Sequence, residues 1–317
     1  MTARPGDVSE ASLSPEDSAW LTAVGGAESL AELADIVGTD SEQEAYFEAK
    51  EQWRTLQEKQ QVRRFERAFP GEGVEIDGQE FVVHGITHAN TDEERAFLHE
   101  HVESFLDDGH AVYCEQGIRP MYFSEFDSVC EIDDYSWAMH HCQKEDIDSH
   151  VEGLDEPALE ESTGQLREAI SRFRTATFSL IESGSEVYGD QFARALGDVA
   201  SDFLMNNEEI ATADDFESFT LSRQASRNPE KLATLQQYYR ATFLPQPLER
   251  EWLRRHDREL ELFTHARNER IADYVVYHAS ADTVHVIVGA AHLPGVLYYL
   301  EEHREGSRDA SDFEFIE

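Results

Sequence analysis

The 317 residues are 40% apolar, enough to bury a sizeable core, and carry 66 acidic against 26 basic side chains, a formal charge of -40. No basic stripe exists to meet phosphates, so nucleic acid is excluded as a partner. No apolar window reaches the length of a membrane span, and MTARPGDVSEAS lacks the apolar core of a signal peptide, so a cytoplasmic protein with no membrane partner is expected.

Residues 1 to 13 are expected to be disordered. Ser14-Pro15-Glu16-Asp17 starts a helix, with Ser as N-cap, Pro in the first turn and acid after it. Short helices are predicted over 15–23 and 27–37. One long helix should run from Ser41 to Phe69, stopped by Pro70, with Tyr46, Trp53, Leu56 and Val62 on its inner face.

Val74 to His84 reads as a hairpin, because Asp77-Gly78 separates two β-type runs. The second run, FVVHGITH, ends in Gly85 and His88. Thr91 and Glu94 have capping-box spacing and open a helix closed by Asp107-Asp108-Gly109. Ala111 to Cys114 is a second strand, ending in Glu115. A right-handed strand–helix–strand unit of this kind should bring His88 and Glu115 to one edge of adjacent strands.

From about 120 to 265 the pattern turns polar and helical, with apolar periodicity over 159–183, 187–204, 229–244 and 247–264. Such a block should cap the ligand edge of the sheet. Tyr135 and Trp137 fall in what reads as an acidic loop, where they could line the pocket, core packing being the favoured use. Three cysteines, Cys114, Cys130 and Cys142, form no secretory disulfide framework, and His140-His141-Cys142 matches no zinc-finger or ribbon spacing. A helix is then expected from Arg267 to about His278, followed by the β-branched strand 283–288, a helix over 294–303 and a last strand Phe313 to Ile316.

The stretch TVHVIVGAAHLPGV repeats the earlier device, a β-branched run breaking at a glycine, Gly289, with His292 three residues on. With 18 Gly and 14 His in the chain, chance supplies about 0.8 GxxH matches, so spacing alone proves little. Context lifts the pair: each stands at a strand exit before a helix, where open α/β sheets bind ligands. The fold class expected is α/β, leaning towards α+β: a small, mostly parallel sheet from two βαβ-like halves (71–120 and 266–317), a helical insertion or cap (121–265) and N-terminal helices (1–70), all in one domain.

In this order, GITH, CEQG, ARNERIA and VGAAHLPG resemble the TraB/PrgY/GumN family, which includes the Tiki proteins, over roughly 81–120 and 264–303. The resemblance implies a relative of the erythromycin esterase and ChaN fold, and a metal-dependent hydrolase acting on a peptide or another small carbonyl substrate. It maps onto Gly85, His88, Glu115, Arg267, Asn268, Gly289 and His292. Two imidazoles and a carboxylate form a competent ligand set for a divalent ion such as Mn, Co or Zn. His88 and His292 are thus expected to hold the metal, with Glu115 as third ligand or general base. Arg267 would meet a carboxylate or a developing oxyanion, and Asn268 would cap a helix or support Arg267. A non-catalytic module binding haem, a peptide signal or another ligand is the alternative. The chain departs from the family at Gln116, where Leu is usual, and in carrying an extra His84 before the first motif.

Only Lys50, Lys59, Lys144 and Lys231 are lysines, the other 22 cations are arginine, and acid is spread along the whole chain, as expected of a fold kept soluble in concentrated salt. Self-repulsion at -40 weakens as the screening length shrinks from about 10 Å near 0.1 M salt to about 3 Å near 1 M. Thermal melts in KCl should therefore give a Tm that climbs steadily over that range. A Tm independent of salt would contradict this.

Overall fold

The computed structural model describes residues 13–60, 68–147, 171–177, 179, 195–197, 199–200, 202–203, 217–309, 311 and 313–315. The N-terminal stretch 1–12, most of the helices expected over 159–183 and 187–204, the end of the long helix at 61–67 and Ile316 lie outside the described residues.

Three helices open the chain, α1 (Pro15–Gly25), α2 (Leu30–Val37) and α3 (Glu42–Gln60). Ser14 and Ser29 cap the first two through their hydroxyls. The hairpin follows as β1 (Glu72–Ile76) and β2 (Gln79–Ile86), paired antiparallel from Ile76↔Gln79 to Glu72↔Val83. Its two-residue turn puts both Asp77 and Gly78 at positive φ, the geometry that matches strand twist. Next come α4 (Asp92–Asp107), β3 (Ala111–Glu115), α5 (Ile118–Tyr122), β4 (Val129–Ile132) and α6 (Tyr135–Lys144). In the C-terminal half lie α7 (Glu217–Arg227), α8 (Leu232–Thr242), α9 (Gln246–His256), α10 (Arg258–Phe263), α11 (His265–His278), β5 (Thr283–Gly289) and α12 (Leu293–Glu305).

The five strands form one sheet in the order β1-β2-β5-β3-β4, parallel throughout except at β1. The α/β architecture is thus the expected one, with three differences. β5 lies between β2 and β3, so His88 and Glu115 do not come from neighbouring strands: the last strand of the chain separates the first two parallel ones. β4 lies inside the block read as helical, because a four-residue strand is too short to leave a periodic signal. Residues 313–315 join no strand.

β5 is central and its side chains divide between two cores. Val284, Val286 and Val288 pack with Ile271 and Val275 of α11 and Val296 and Leu300 of α12. On the other face Ile287 joins Ile86, Leu98, Val102, Val112 and Cys114, under α4. Burial on both faces is what a continuous β-branched run requires. Among the described residues no helix is long and apolar enough to cross a membrane.

Candidate active site

The parallel strands β2, β5 and β3 end at the same edge, with Glu115 and Gly289 as the last residues of β3 and β5, His88 and His292 on the turns just past β2 and β5, and Arg267 and Asn268 at the start of α11. At the centre is Glu115, the last residue of β3 and nearly fully enclosed. Its Oε1 accepts from Arg267 Nη2 at 2.7 Å, and its Oε2 accepts from the backbone N–H of Gly289 at 2.8 Å. His292 Nε2 lies 3.6 Å from Oε1 and His88 Nε2 lies 3.6 Å from Oε2. One carboxylate therefore faces both imidazoles, one on each oxygen.

This convergence needs Gly289 to be glycine. A Cβ there would stand 2.7 Å from His88 Nε2, inside contact distance. Gly295, in the first turn of α12, is required in the same way, since its Cβ would fall 2.1 Å from Asn268 Nδ2.

Arg267 and Asn268 come from the first turn of α11. Arg267 is buried and lies between two carboxylates, donating to Glu115 and, through Nε at 2.9 Å and also through Nη2, to Asp134 Oδ2. Tyr135 covers the guanidinium at 3.5 Å from its ring centre. Asp134 Oδ1 in turn accepts from the Gln116 N–H at 2.9 Å, and Gln116 Oε1 accepts from the N–H groups of Tyr135 and Ser136. The Gln116 that departs from the family pattern thus ties the end of β3 to the start of α6.

Asn268 neither caps a helix nor supports Arg267. Its Oδ1 meets His292 Nδ1 at 2.6 Å while its Nδ2 donates to Gln246 Oε1 at 3.0 Å. With the amide oriented by Gln246, His292 carries its proton on Nδ1 and leaves the Nε2 lone pair facing Glu115 and, at 3.5 Å, Arg267 Nη1.

His88 is held differently. It adopts φ +57° between β2 and α4, and the loop around it hangs on Glu94. This fully buried carboxylate accepts from Thr87 N at 2.9 Å, Thr87 Oγ1 at 2.6 Å, Ala89 N at 3.0 Å and the Tyr122 hydroxyl. Only half of the expected capping box therefore forms: Thr91 accepts from Glu94 N, but the Glu94 side chain turns to the His88 loop instead of back to Thr91.

The two imidazoles differ in their protonation. Burial drives His292 down to about 3, more than Glu115 can offset, and Arg267 pushes the same way, so its ring is neutral. His88 keeps 27% of its side chain exposed; what burial it has disfavours its cation, yet Glu115 and Glu94 outweigh that and raise it above the usual histidine value. Burial alone would raise Glu115, but its cationic neighbours reverse the sign and hold it well below the usual carboxylate range. With His292 neutral, Arg267 and His88 are the ones that act near pH 7. Asp134 is pushed up to about 6 by burial in spite of Arg267. Two carboxylates and one guanidinium leave a net negative charge that an imidazolium at His88 cancels.

The donor chemistry suits a divalent ion, since His292 Nε2 offers a lone pair and Glu115 is ionised. Among the described residues, however, no group of three or more His, Cys, Asp or Glu side chains is disposed to hold a metal, and both Glu115 oxygens are engaged by Arg267 and Gly289. The extra His84 belongs elsewhere: its Nδ1 meets Pro70 O at 3.0 Å, its Nε2 meets His285 Nδ1 at 2.9 Å, and His285 Nε2 meets His110 Nδ1 at 3.1 Å.

Six of the seven residues singled out in the sequence, His88, Glu115, Arg267, Asn268, Gly289 and His292, thus meet at one crevice, whose partly exposed member is His88; Gly85 stands within β2, where a Cβ would press on Ala290 and its carbonyl accepts from Gln236 Nε2 at 2.9 Å. Sequence reasoning missed Asp134 and Gln246, read Glu94 only as half of a capping box, and favoured core packing for Tyr135 over the pocket-lining place it also allowed. Asp134 had a legible signal, because Val129–Ile132 followed by acid repeats the β3 pattern of a short apolar run ending at a carboxylate. Tyr135 belongs to α6 and not to a loop.

The fold and crevice define a mixed α/β protein with a histidine–glutamate–arginine site at the carboxyl edge of its parallel strands. No family model, no curated protein and no solved structure matches the chain. The likeness to the TraB/PrgY/GumN family therefore rests on the quoted residues alone.

Two enclosed neutral histidines make stability depend on pH. His265 and His292 are lowered to about 4 and about 3, so between there and about pH 6.5 the unfolded chain binds protons that the folded chain refuses. Stability from these groups is complete above pH 6.5 and falls as pH drops, by about 1.4 kcal/mol per unit for each ring. Urea midpoints measured at pH 7, 6 and 5 should decline in that order, and His292→Phe should flatten the decline; a level profile would contradict the assignment.

Proposed function

We propose that the protein is a carbonyl hydrolase, peptidase- or esterase-like, acting on a peptide or another small carbonyl substrate at the His88–Glu115–His292 crevice. The observation that carries this reading is the single Glu115 carboxylate facing two imidazoles of opposite protonation tendency beside a buried arginine. Pairs of titratable groups pushed apart in this way are the usual basis for dividing acid and base roles.

In this scheme His88, the ring open to solvent and raised by Glu115, is the acid that gives its proton to the leaving group, and neutral His292 is the base that takes one from the attacking water. Glu115 stays ionised and steadies the imidazolium that forms. Neutral His292 keeps its Nε2 lone pair towards the crevice, oriented through Asn268 and Gln246. Arg267 supplies the fixed positive charge that favours a developing oxyanion. In the metal-assisted form of the proposal His88 and His292 would hold Mn, Co or Zn through Nε2, with Glu115 beside them. The ion would polarise the carbonyl and lower the pKa of bound water.

An amide and ester screen on the intact chain, run with chelator and with each metal added back, tests this. Turnover should fall by about 100-fold or more in both His88→Ala and His292→Ala, the scale of a lost acid–base group. Asn268→Ala should lower kcat more than it changes KM. Activity lost with chelator and restored by one ion selects the metal-assisted form, and activity indifferent to chelator selects the form run by the two imidazoles. Ligand binding with no turnover in the unmodified protein sinks the enzymatic reading and leaves a binding module.

A further inference from the structure

Between α8 and α9 the chain reads Phe243-Leu244-Pro245-Gln246-Pro247, and each proline biases the residue before it away from helix. The backbone is extended at Phe243 (ψ 135°) and at Pro245 (ψ 144°), so this link makes a wall instead of continuing a helix. Together with α3 and α12 it borders a cavity of about 220 Å³. None of His88, Glu115, Arg267 and His292 lines it. The most buried residues that do are Phe243, Leu244, Leu297 and Gln246, and only the last is polar. Half-buried Trp53 and Tyr298 add aromatic surface nearer the mouth.

Gln246 is also the residue that orients the crevice. Its Oε1 accepts from Asn268 Nδ2 at 3.0 Å, and Asn268 Oδ1 meets His292 Nδ1 at 2.6 Å. The backbone of α12 presses on the same amide, since a Cβ at Gly295 would stand 2.8 Å from Gln246 Cδ. With its oxygen turned to Asn268, Gln246 keeps an Nε2 amino group that makes no hydrogen bond among the described residues. The two charged side chains at the cavity are already matched: Arg240 pairs with Glu72 at 2.5 Å, and Glu301 lies 3.9 Å from Arg304.

We propose that this cavity is a ligand site separate from the crevice, taking a neutral single-ring molecule whose carbonyl accepts from Gln246 Nε2, and that its occupancy is felt at His292 through Asn268. The binding rests on the cavity alone; only its regulatory meaning rests on the hydrolase reading. An apolar cavity of about 150 Å³ holds benzene, so this one has room for a ring and a short polar substituent. Aromatic walls favour such a ring by the area it buries. A carboxylate would be desolvated with no unmatched cation to meet it, and a chain of charge -40 opposes it further. An amidinium carries only donors and leaves Gln246 Nε2 unanswered.

The coupling follows from the two amides. Were Gln246 to turn over, its Nε2 would face Asn268, and Asn268 would have to turn as well and present Nδ2 to His292 Nδ1. The ring's proton would then sit on Nε2, removing the lone pair from the crevice. A carbonyl held by Gln246 Nε2 favours the arrangement seen here, and a ligand shifts an equilibrium by its preference for one of the two states.

The test measures binding of benzamide, benzoate and benzamidinium, three probes of nearly one shape, by calorimetry. It uses the unmodified chain, Gln246→Leu and Gln57→Trp, with a melting curve for each. Gln57 is a half-buried cavity residue on α3, so an indole there fills the space away from the crevice. Benzamide should bind the unmodified chain at least about tenfold more tightly than either ion, and each variant at least about tenfold more weakly. Saturating benzamide should shift the ring nitrogen resonances of His292, assigned by their loss in His292→Phe, and should leave them unmoved in Gln57→Trp.

Failure of benzamide to bind, or binding no tighter than that of either ion, overturns the proposal. So does undiminished benzamide binding in either variant that still melts cooperatively; should Gln246→Leu not fold, Gln57→Trp alone decides. Bound benzamide with unmoved His292 resonances overturns the coupling. Absence of turnover in the amide and ester screen removes the hydrolase reading and leaves each of these outcomes as it stands.

Discussion

One enclosed guanidinium, Arg267, clasped by Glu115 and Asp134, is the contact on which the crevice depends. Three charges taken out of water are tolerated only when every donor and acceptor finds its match, and removing one partner of such a set typically costs about 3–5 kcal/mol. Each member comes from a different place: the end of β3, the turn after β4 and the first turn of α11. The pairing therefore forces these three elements into a single register. Tyr135, stacked over the guanidinium, shields it from solvent on one face.

Around that ion set the polar groups form two supporting arms of different character. The arm to His292 is made of neutral amides, Gln246 and Asn268, which decide where the ring's proton sits without adding charge. The arm to His88 is a buried carboxylate, Glu94, gripping the backbone on either side of a residue at positive φ. Neutral support suits a ring that must stay unprotonated, and negative support suits one that must hold a proton. The same carboxylate, Glu115, thus faces two histidines whose environments push them in opposite directions.

The polar clusters elsewhere in the sheet have a different relation to solvent and to ligand. His84, His285 and His110 satisfy one another along a single line starting from the Pro70 carbonyl, so both nitrogens of His84 and of His285 are accounted for within the fold. Phe105 lies flat on His285 at 3.5 Å and closes that line with an aromatic surface. His265 is the opposite case, a buried ring with aromatic neighbours and no hydrogen-bond partner among the described residues.

Much of this was legible in local chemistry. The two β-branched runs breaking at Gly85 and Gly289, the Asp77-Gly78 hairpin turn and the Ser14 and Thr91 caps each follow from a preference acting over a few residues, and each appears where the pattern put it. Even the convergence of Glu115 and both histidines could be anticipated, because strand ends that precede helices open towards the same edge, whereas Arg267, on a helix, was singled out only through the family resemblance. The insertion of β5 between β2 and β3 could not, since strand order is decided by which apolar faces pack best across more than 150 residues of chain and leaves no mark on either strand alone. Nor could the partners of Asp134, Glu94 and Gln246: in so acidic a chain a carboxylate destined for burial reads like the many that stay in water. Composition and periodicity determined the strands, the turns and the list of reactive side chains. Only tertiary packing decided which carboxylates were desolvated beside Arg267, and with that which histidine keeps its proton.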